Sequence, residues 1–277
     1  MALSAAVLSA ACGSRDDQGD AGTDTQDDDL AVTDSGDAGT DATDTDIADA
    51  DADADPDEDE DTDPDEETAP CPPDMLLVGE VCMDLYEAPN AEGALPLVMY
   101  TFVEAEAWCS GRAKRLCTDL EWLAACEGPD GLSYPYGEAP VPGRCNDEET
   151  WLVYSQPLLD AWPAGVSGPD VGSLDELLDA ARAVSTAAGE SADHVESLYQ
   201  GEGSGANAGC VGPAGVYDLV GNMEEWTRRA DGGEPSFHGN LKGRYWAESR
   251  TCQQSVTVHG DGFRFYEIGF RCCADAI

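Results

Sequence analysis

Apolar positions recur with a usable period only beyond residue 70 of this chain, where they mark short elements separated by turns. Met75-Leu76-Leu77-Val78, Gly79-Glu80 and Val81-Cys82-Met83 read as strand, turn and strand, a hairpin within 71–88. Thr101 followed three residues later by Glu104 is a capping-box signature. Ahead of Phe102, Val103, Ala105, Ala107 and Trp108 it predicts a helix that Gly111 stops. Thr118 with Glu121 repeats the device before Leu120, Trp122, Leu123 and Ala124. Trp108 and Trp122 are core residues in this reading. Ser173 precedes Leu174, Leu177, Leu178, Ala181 and Val184, the spacing of one amphipathic helix. From Tyr134 onward, glycine, proline and short apolar pieces otherwise predict an α+β fold with little regular secondary structure. The stretch 201–209 reads as a flexible return.

Composition separates the rest of the chain from this folded part. Residues 15–69 hold 25 Asp or Glu against Arg15 alone, which is 24 of the 45 net negative charges. With almost no large apolar side chain they cannot bury enough surface to offset chain entropy, so 13–70 is expected to be a disordered acidic linker. Like-charge repulsion would keep it extended, with a reach of up to about 180 Å at roughly 3.3 Å per residue. Ahead of it, Met1 to Ala11 is uncharged and mostly small or apolar, and ends in Ser9-Ala10-Ala11-Cys12. Residues 1–12 look like a lipoprotein signal peptide cleaved before Cys12, whose thiol would take the lipid, with an ordinary secretion signal as the alternative. The protein is then exported and lipid-anchored to the bacterial outer membrane, facing the periplasm or the surface. The remaining 71–277 keeps a net charge near −21, the balance of −45 after the linker's −24. That leaves no basic face for nucleic acid.

Several stretches of 71–277 carry a resemblance. These are Gly111-Arg112-Ala113-Lys114-Arg115-Leu116-Cys117-Thr118-Asp119-Leu120-Glu121-Trp122, Tyr134-Pro135-Tyr136-Gly137, Gly215-Val216-Tyr217-Asp218-Leu219-Val220-Gly221-Asn222-Met223-Glu224-Glu225-Trp226 and the terminal Ile268-Gly269-Phe270-Arg271-Cys272-Cys273. Together they resemble the formylglycine-generating enzyme (sulfatase-modifying factor) family, with 151–208 as a poorly matched insert. The resemblance implies a C-type-lectin-like fold. It also implies long-range bridges from Cys109 to Cys272 and from Cys126 to Cys252. A bridge closing more than a hundred residues is worth about 4 to 5 kcal/mol in the chain-entropy model. The close spacing of Cys71 and Cys82 suggests a local bridge. Cys145 with Cys210 and Cys117 with Cys273 is our choice for the other four, which sequence alone does not fix. Eleven cysteines less a lipidated Cys12 leave an even ten. Zinc is disfavoured, because no pair has CxxC spacing and His194, His238 and His259 are scattered.

The family's structural calcium site maps onto Asp218 and Glu225 by side chain and Gly221 and Met223 by backbone, a hard-oxygen set that suits calcium. Asn146 resembles a ligand of a second family site. The catalytic pair is another matter. Formylglycine-generating enzymes oxidise a sulfatase cysteine with two cysteines that bind copper, and soft thiolates suit Cu(I). Those cysteines lie about ten and five residues before the one matched by Cys252, at Lys242 and Ala247 here. Copper is therefore not expected. Iron is not expected either, since the histidine cluster and extra helical domain of related sulfoxide synthases are lacking. No Gly-x-Ser-x-Gly elbow supports a serine nucleophile. His259 is expected to hydrogen-bond within its loop.

No catalytic residue is assigned. The leading reading is a non-catalytic module that binds a protein or small-molecule ligand at the cell surface, through a pocket lined by Tyr245, Trp246, His259 and Arg264. A formylglycine-generating-type oxidoreductase with other residues, and a purely structural spacer, are the alternatives.

Overall fold

The computed structural model describes residues 70–277, so the expectations for the signal peptide, Cys12 and the acidic linker lie outside the described residues. Strands β1 (Met75–Val78) and β2 (Val81–Asp84) form the hairpin, with Val78 opposite Val81 across Gly79-Glu80. Gly79 takes the positive φ that the turn needs. Helix α1 (Phe102–Ser110) and helix α2 (Asp119–Glu127) each start on a complete capping box, Thr101/Glu104 and Thr118/Glu121. Between them lies β3 (Arg115–Leu116).

The two larger sheets are closed by the end of the chain. Strand β9 (Cys272–Asp275) runs antiparallel between β2 and β3, giving the order β1-β2-β9-β3. Strand β8 (Ile268–Phe270) lies parallel to β4 (Glu224–Arg228), whose other edge pairs with β5 (Gly239–Lys242). A short ribbon of β6 (Arg244–Tyr245) and β7 (Glu248–Ser249) follows. Strands this short, alternating with helices and long turns, make the fold mixed α and β with little regular structure.

The segment 151–208 is more structured than its sequence suggests. It holds α3 (Gln156–Leu159), α4 (Leu174–Arg182) and α5 (Thr186–Leu198). Helix α4 carries the expected apolar stripe but ends before Val184, which is exposed. Helix α5 was not expected, because its buried face is built largely from small residues, Ala188, Ser191 and Ala192, before Val195 and Leu198. The two helices pack on each other, and Leu174, Leu177, Leu178 and Val195 join the same core as Trp108, Trp226, Trp246 and Phe270. The stretch 201–209 is likewise packed rather than free. Ser204 is fully buried, and a side chain at Gly203 would meet the Gly93 carbonyl at 2.6 Å.

Five disulfides use every cysteine among the described residues: Cys71–Cys82, Cys109–Cys272, Cys117–Cys273, Cys126–Cys252 and Cys145–Cys210. Adjacent Cys272 and Cys273 point to opposite faces of β9, as a strand requires, and so tie it both to α1 and to the Cys117 loop. No helix among the described residues is long and apolar enough to cross a membrane.

Candidate functional site

Three places bear on function, and the first is where the resemblance locates the copper-binding thiols. Lys242 ends β5 with its side chain buried, Nζ donating to the Cys252 carbonyl at 2.7 Å and lying 5.2 Å from the Trp122 ring centre. Burial pushes this amine down to about 8. Ala247 sits in the two-residue link between β6 and β7, partly buried against the core. Cys252 itself is bonded to Cys126.

The second place is the 218–225 loop. Asp218 and Asn222 take positive φ, as does Gly221, where a Cβ would stand 2.4 Å from the Asn146 carbonyl. Asn146 donates through Nδ2 to the Gln200 carbonyl and to Asn222 Oδ1. Asp218 Oδ2 accepts from the Gly205 amide at 2.7 Å. Glu225 is fully buried, and its oxygens accept from Arg271 at 2.6 and 2.7 Å and from the Trp122 indole at 3.1 Å. Glu87, also fully buried, accepts from Asn222 and Ser204. Burial, reinforced by Asp218, raises the Glu87 carboxyl well above its ordinary range. The donor chemistry suits a hard cation. Glu225 has closed on Arg271, and among the described residues no three His, Cys, Asp or Glu side chains are positioned to share a metal ion.

The third place was not assigned from sequence. Glu224 on β4 is buried, with each carboxylate oxygen 3.4 Å from Arg244 Nη1 and Oε1 3.9 Å from Arg250. Arg244 Nη2 reaches Glu248 at 2.7 Å. The Glu224 amide donates to the Glu267 carbonyl at 3.0 Å, which brings Glu267 alongside. Glu267 is only 7% exposed. Burial, with the charge of Glu224 added, pushes its carboxyl up to about 8. The Tyr266 side chain lies within reach of the Glu267 carboxyl, and Arg244 Nε is buried without a hydrogen-bond partner among the described residues. Next to this group opens a cavity of about 640 Å³, bounded by Glu248, Ser249, Arg250 and the 254–258 segment. The sequence did carry a signal for it at Glu267, an acidic residue between Phe265-Tyr266 and Ile268.

The four residues expected to line a pocket are dispersed. Tyr245 and Trp246 are core residues, Trp246 against Tyr199 and Tyr266, because α5 covers a face that the sequence leaves open. His259 stacks on Phe263 at 3.8 Å, and among the described residues it has no hydrogen bond within its loop. Burial and the nearby Arg244 charge lower its pKa. Arg264 pairs with Glu104 at 3.1 Å and borders a smaller cavity with Phe263 and Trp162.

These features define a disulfide-locked scaffold of mixed α and β structure with little regular secondary structure. Residues 81–276 match the sulfatase-modifying factor enzyme 1-like domain, and the chain belongs to that family. It is similar to a Bos taurus protein named inactive C-alpha-formylglycine-generating enzyme 2, with 28% identity over 189 residues. That match covers 65% of this chain and 50% of the bovine protein, so the chain spans about half the length of that relative. Among solved structures it resembles the Major Tropism Determinant U1 variant, with TM-score 0.41 and 12% identity over 76% of this chain and 54% of that one. The crystal structure of CarF gives TM-score 0.34 and 15% identity over 58% and 48%.

Proposed function

We propose that this chain is a non-catalytic, ligand-binding version of the formylglycine-generating scaffold, exported and held at the envelope by lipid on Cys12. One observation carries the reading: all ten cysteines from 71 to 277 are in disulfides, while the positions onto which the resemblance maps the copper-binding pair hold Lys242 and Ala247. With every cysteine from 71 to 277 in a disulfide, the described residues offer no thiolate pair for Cu(I). The family relative whose name marks it as inactive is in keeping with this. What remains is a scaffold braced by long-range bridges, able to present a polar cavity to a protein or small molecule.

The test is disulfide mapping by mass spectrometry on exported protein, with free thiols alkylated before reduction. Five intact pairs and no alkylated cysteine in 71–277 are expected. A reproducibly free pair protected by copper would replace this reading with an oxidoreductase. Replacing Cys12 with alanine should abolish fatty-acid incorporation and release the protein from the membrane fraction.

A further inference from the structure

Helix α2 and the β1–β2 hairpin leave apolar side chains at the surface. Between them lies a groove of about 460 Å³, walled by Leu77 and Val78 at the end of β1, Ala124 on α2, and Pro129, Pro213 and Ala214 in the adjoining loops. Leu77 is 45% exposed, and Leu120, one helical turn before Ala124 on the same face of α2, is 62% exposed. The walls are fixed in place. A Cβ on Gly128 would stand 2.6 Å from the Pro213 ring, and Cys126, two residues earlier, is tied to Cys252 in the core cluster that also holds Val78. An uncovered apolar face rimmed by polar residues is the mark of an interaction surface. Charge decides what can cover this one. Glu127 lines the groove, exposed Glu80 and Asp130 directly follow its Gly79 and Pro129, and no Lys or Arg is among its lining residues. A second copy would set this acidic rim against its own, within a folded part of net charge near −21. The chain's own 15–69 segment, with 25 acidic residues against one arginine, is no better matched.

We propose that this groove docks a segment of another protein in which leucine-like side chains are flanked by lysine or arginine. The apolar side chains enter the groove, where the area they remove from water supplies most of the affinity. The flanking cations face Glu80, Glu127 and Asp130 and set the specificity and the orientation. The groove shares no lining residue with the cavity beside Glu248, so this docking role goes beyond the ligand-binding reading above and can fail without it.

Protein-observed NMR titration of the full chain, disulfides intact, with the end-capped peptides Lys-Leu-Leu-Lys, Lys-Ser-Ser-Lys and Glu-Leu-Leu-Glu tests it. Saturable binding of the first alone is expected, weakening by about 3-fold or more as salt rises from about 0.05 to 0.5 M. Ala124→Arg, which sets a cation in the groove at an exposed helix position, should weaken it by about 10-fold or more. Leu77→Ser, on the facing wall, should weaken it by about 5-fold or more. It keeps the test open if the first variant fails to fold. No saturation, equal binding of either control peptide, or unchanged affinity in a folded variant would each overturn the assignment. Sedimentation equilibrium of the chain alone is expected to give a monomer. A dimer that Ala124→Arg dissociates would assign the groove to a second copy instead. A photocrosslinker at position 77 that couples to 15–69 would assign it to the acidic segment.

Discussion

Replacing Arg271 with glutamine is the sharpest test of how this core is held. The guanidinium is fully buried and donates to both Glu225 oxygens, to the Tyr217 carbonyl at 2.9 Å and, more weakly, to the carbonyls of Asp84 and Leu85. It is the cation set against Glu225, Glu87 and Asp218, whose charges all act on it. Glutamine could keep one of those bonds and none of the charge. Breaking a buried pair by removing one partner costs about 3 to 5 kcal/mol, because the other charge stays behind. For a domain of this size each kcal/mol moves the melting point by about 2 to 4 °C, so a fall of roughly 6 to 20 °C is expected. Thermal melts followed by circular dichroism, without reductant and with either EDTA or about 1 mM calcium, provide the assay. The calcium arm bears on the site expected at Asp218 and Glu225. If Arg271 is the counter-charge, calcium leaves the parent chain's melting point unchanged. A variant melting within about 2 °C of the parent, or a parent stabilised strongly by calcium, refutes the reasoning.

Three further outcomes follow from the same geometry. Glu267 has a folded pKa near 8, above its ordinary value, so the stability it contributes is complete below about pH 4.5 and is lost as pH rises through 8. Denaturant melts should therefore show stability rising from pH 8.5 to 5, by up to about 3 kcal/mol from this group, with Glu267→Gln flattening the slope. Gly221→Ala should cost about 2 kcal/mol or more in urea unfolding, since its φ of +74° and the 2.4 Å approach to the Asn146 carbonyl both exclude a Cβ. Removing the Cys126–Cys252 bridge by double alanine substitution should lower the unfolding free energy by about 4 to 5 kcal/mol, the chain-entropy value for its 126-residue separation.

Local rules make part of this protein legible from its residues alone. The hairpin and the starts of α1 and α2 depend on residues within four positions of one another: Gly79 for the turn, Thr101 with Glu104, and Thr118 with Glu121. The family motifs identify the scaffold, and the resemblance maps its thiol pair onto residues 242 and 247. Helix α5 is hard to read in the sequence because alanine and serine give a weak periodic signal, and they form a buried face only because α4 is there to meet them. The same helix decides that Trp246 is core and not pocket wall, since Tyr199 at its end covers the indole. Sequence could list Glu224, Arg244 and Glu267, but only the parallel alignment of β4 with β8 brings the two carboxyl groups together, which with burial raises the pKa of Glu267. Glu225 and Arg271 are likewise 46 residues apart and become one ion pair through that alignment. Short-range hydrogen bonding fixes the elements, whereas long-range strand pairing and burial set the electrostatics that any ligand would meet.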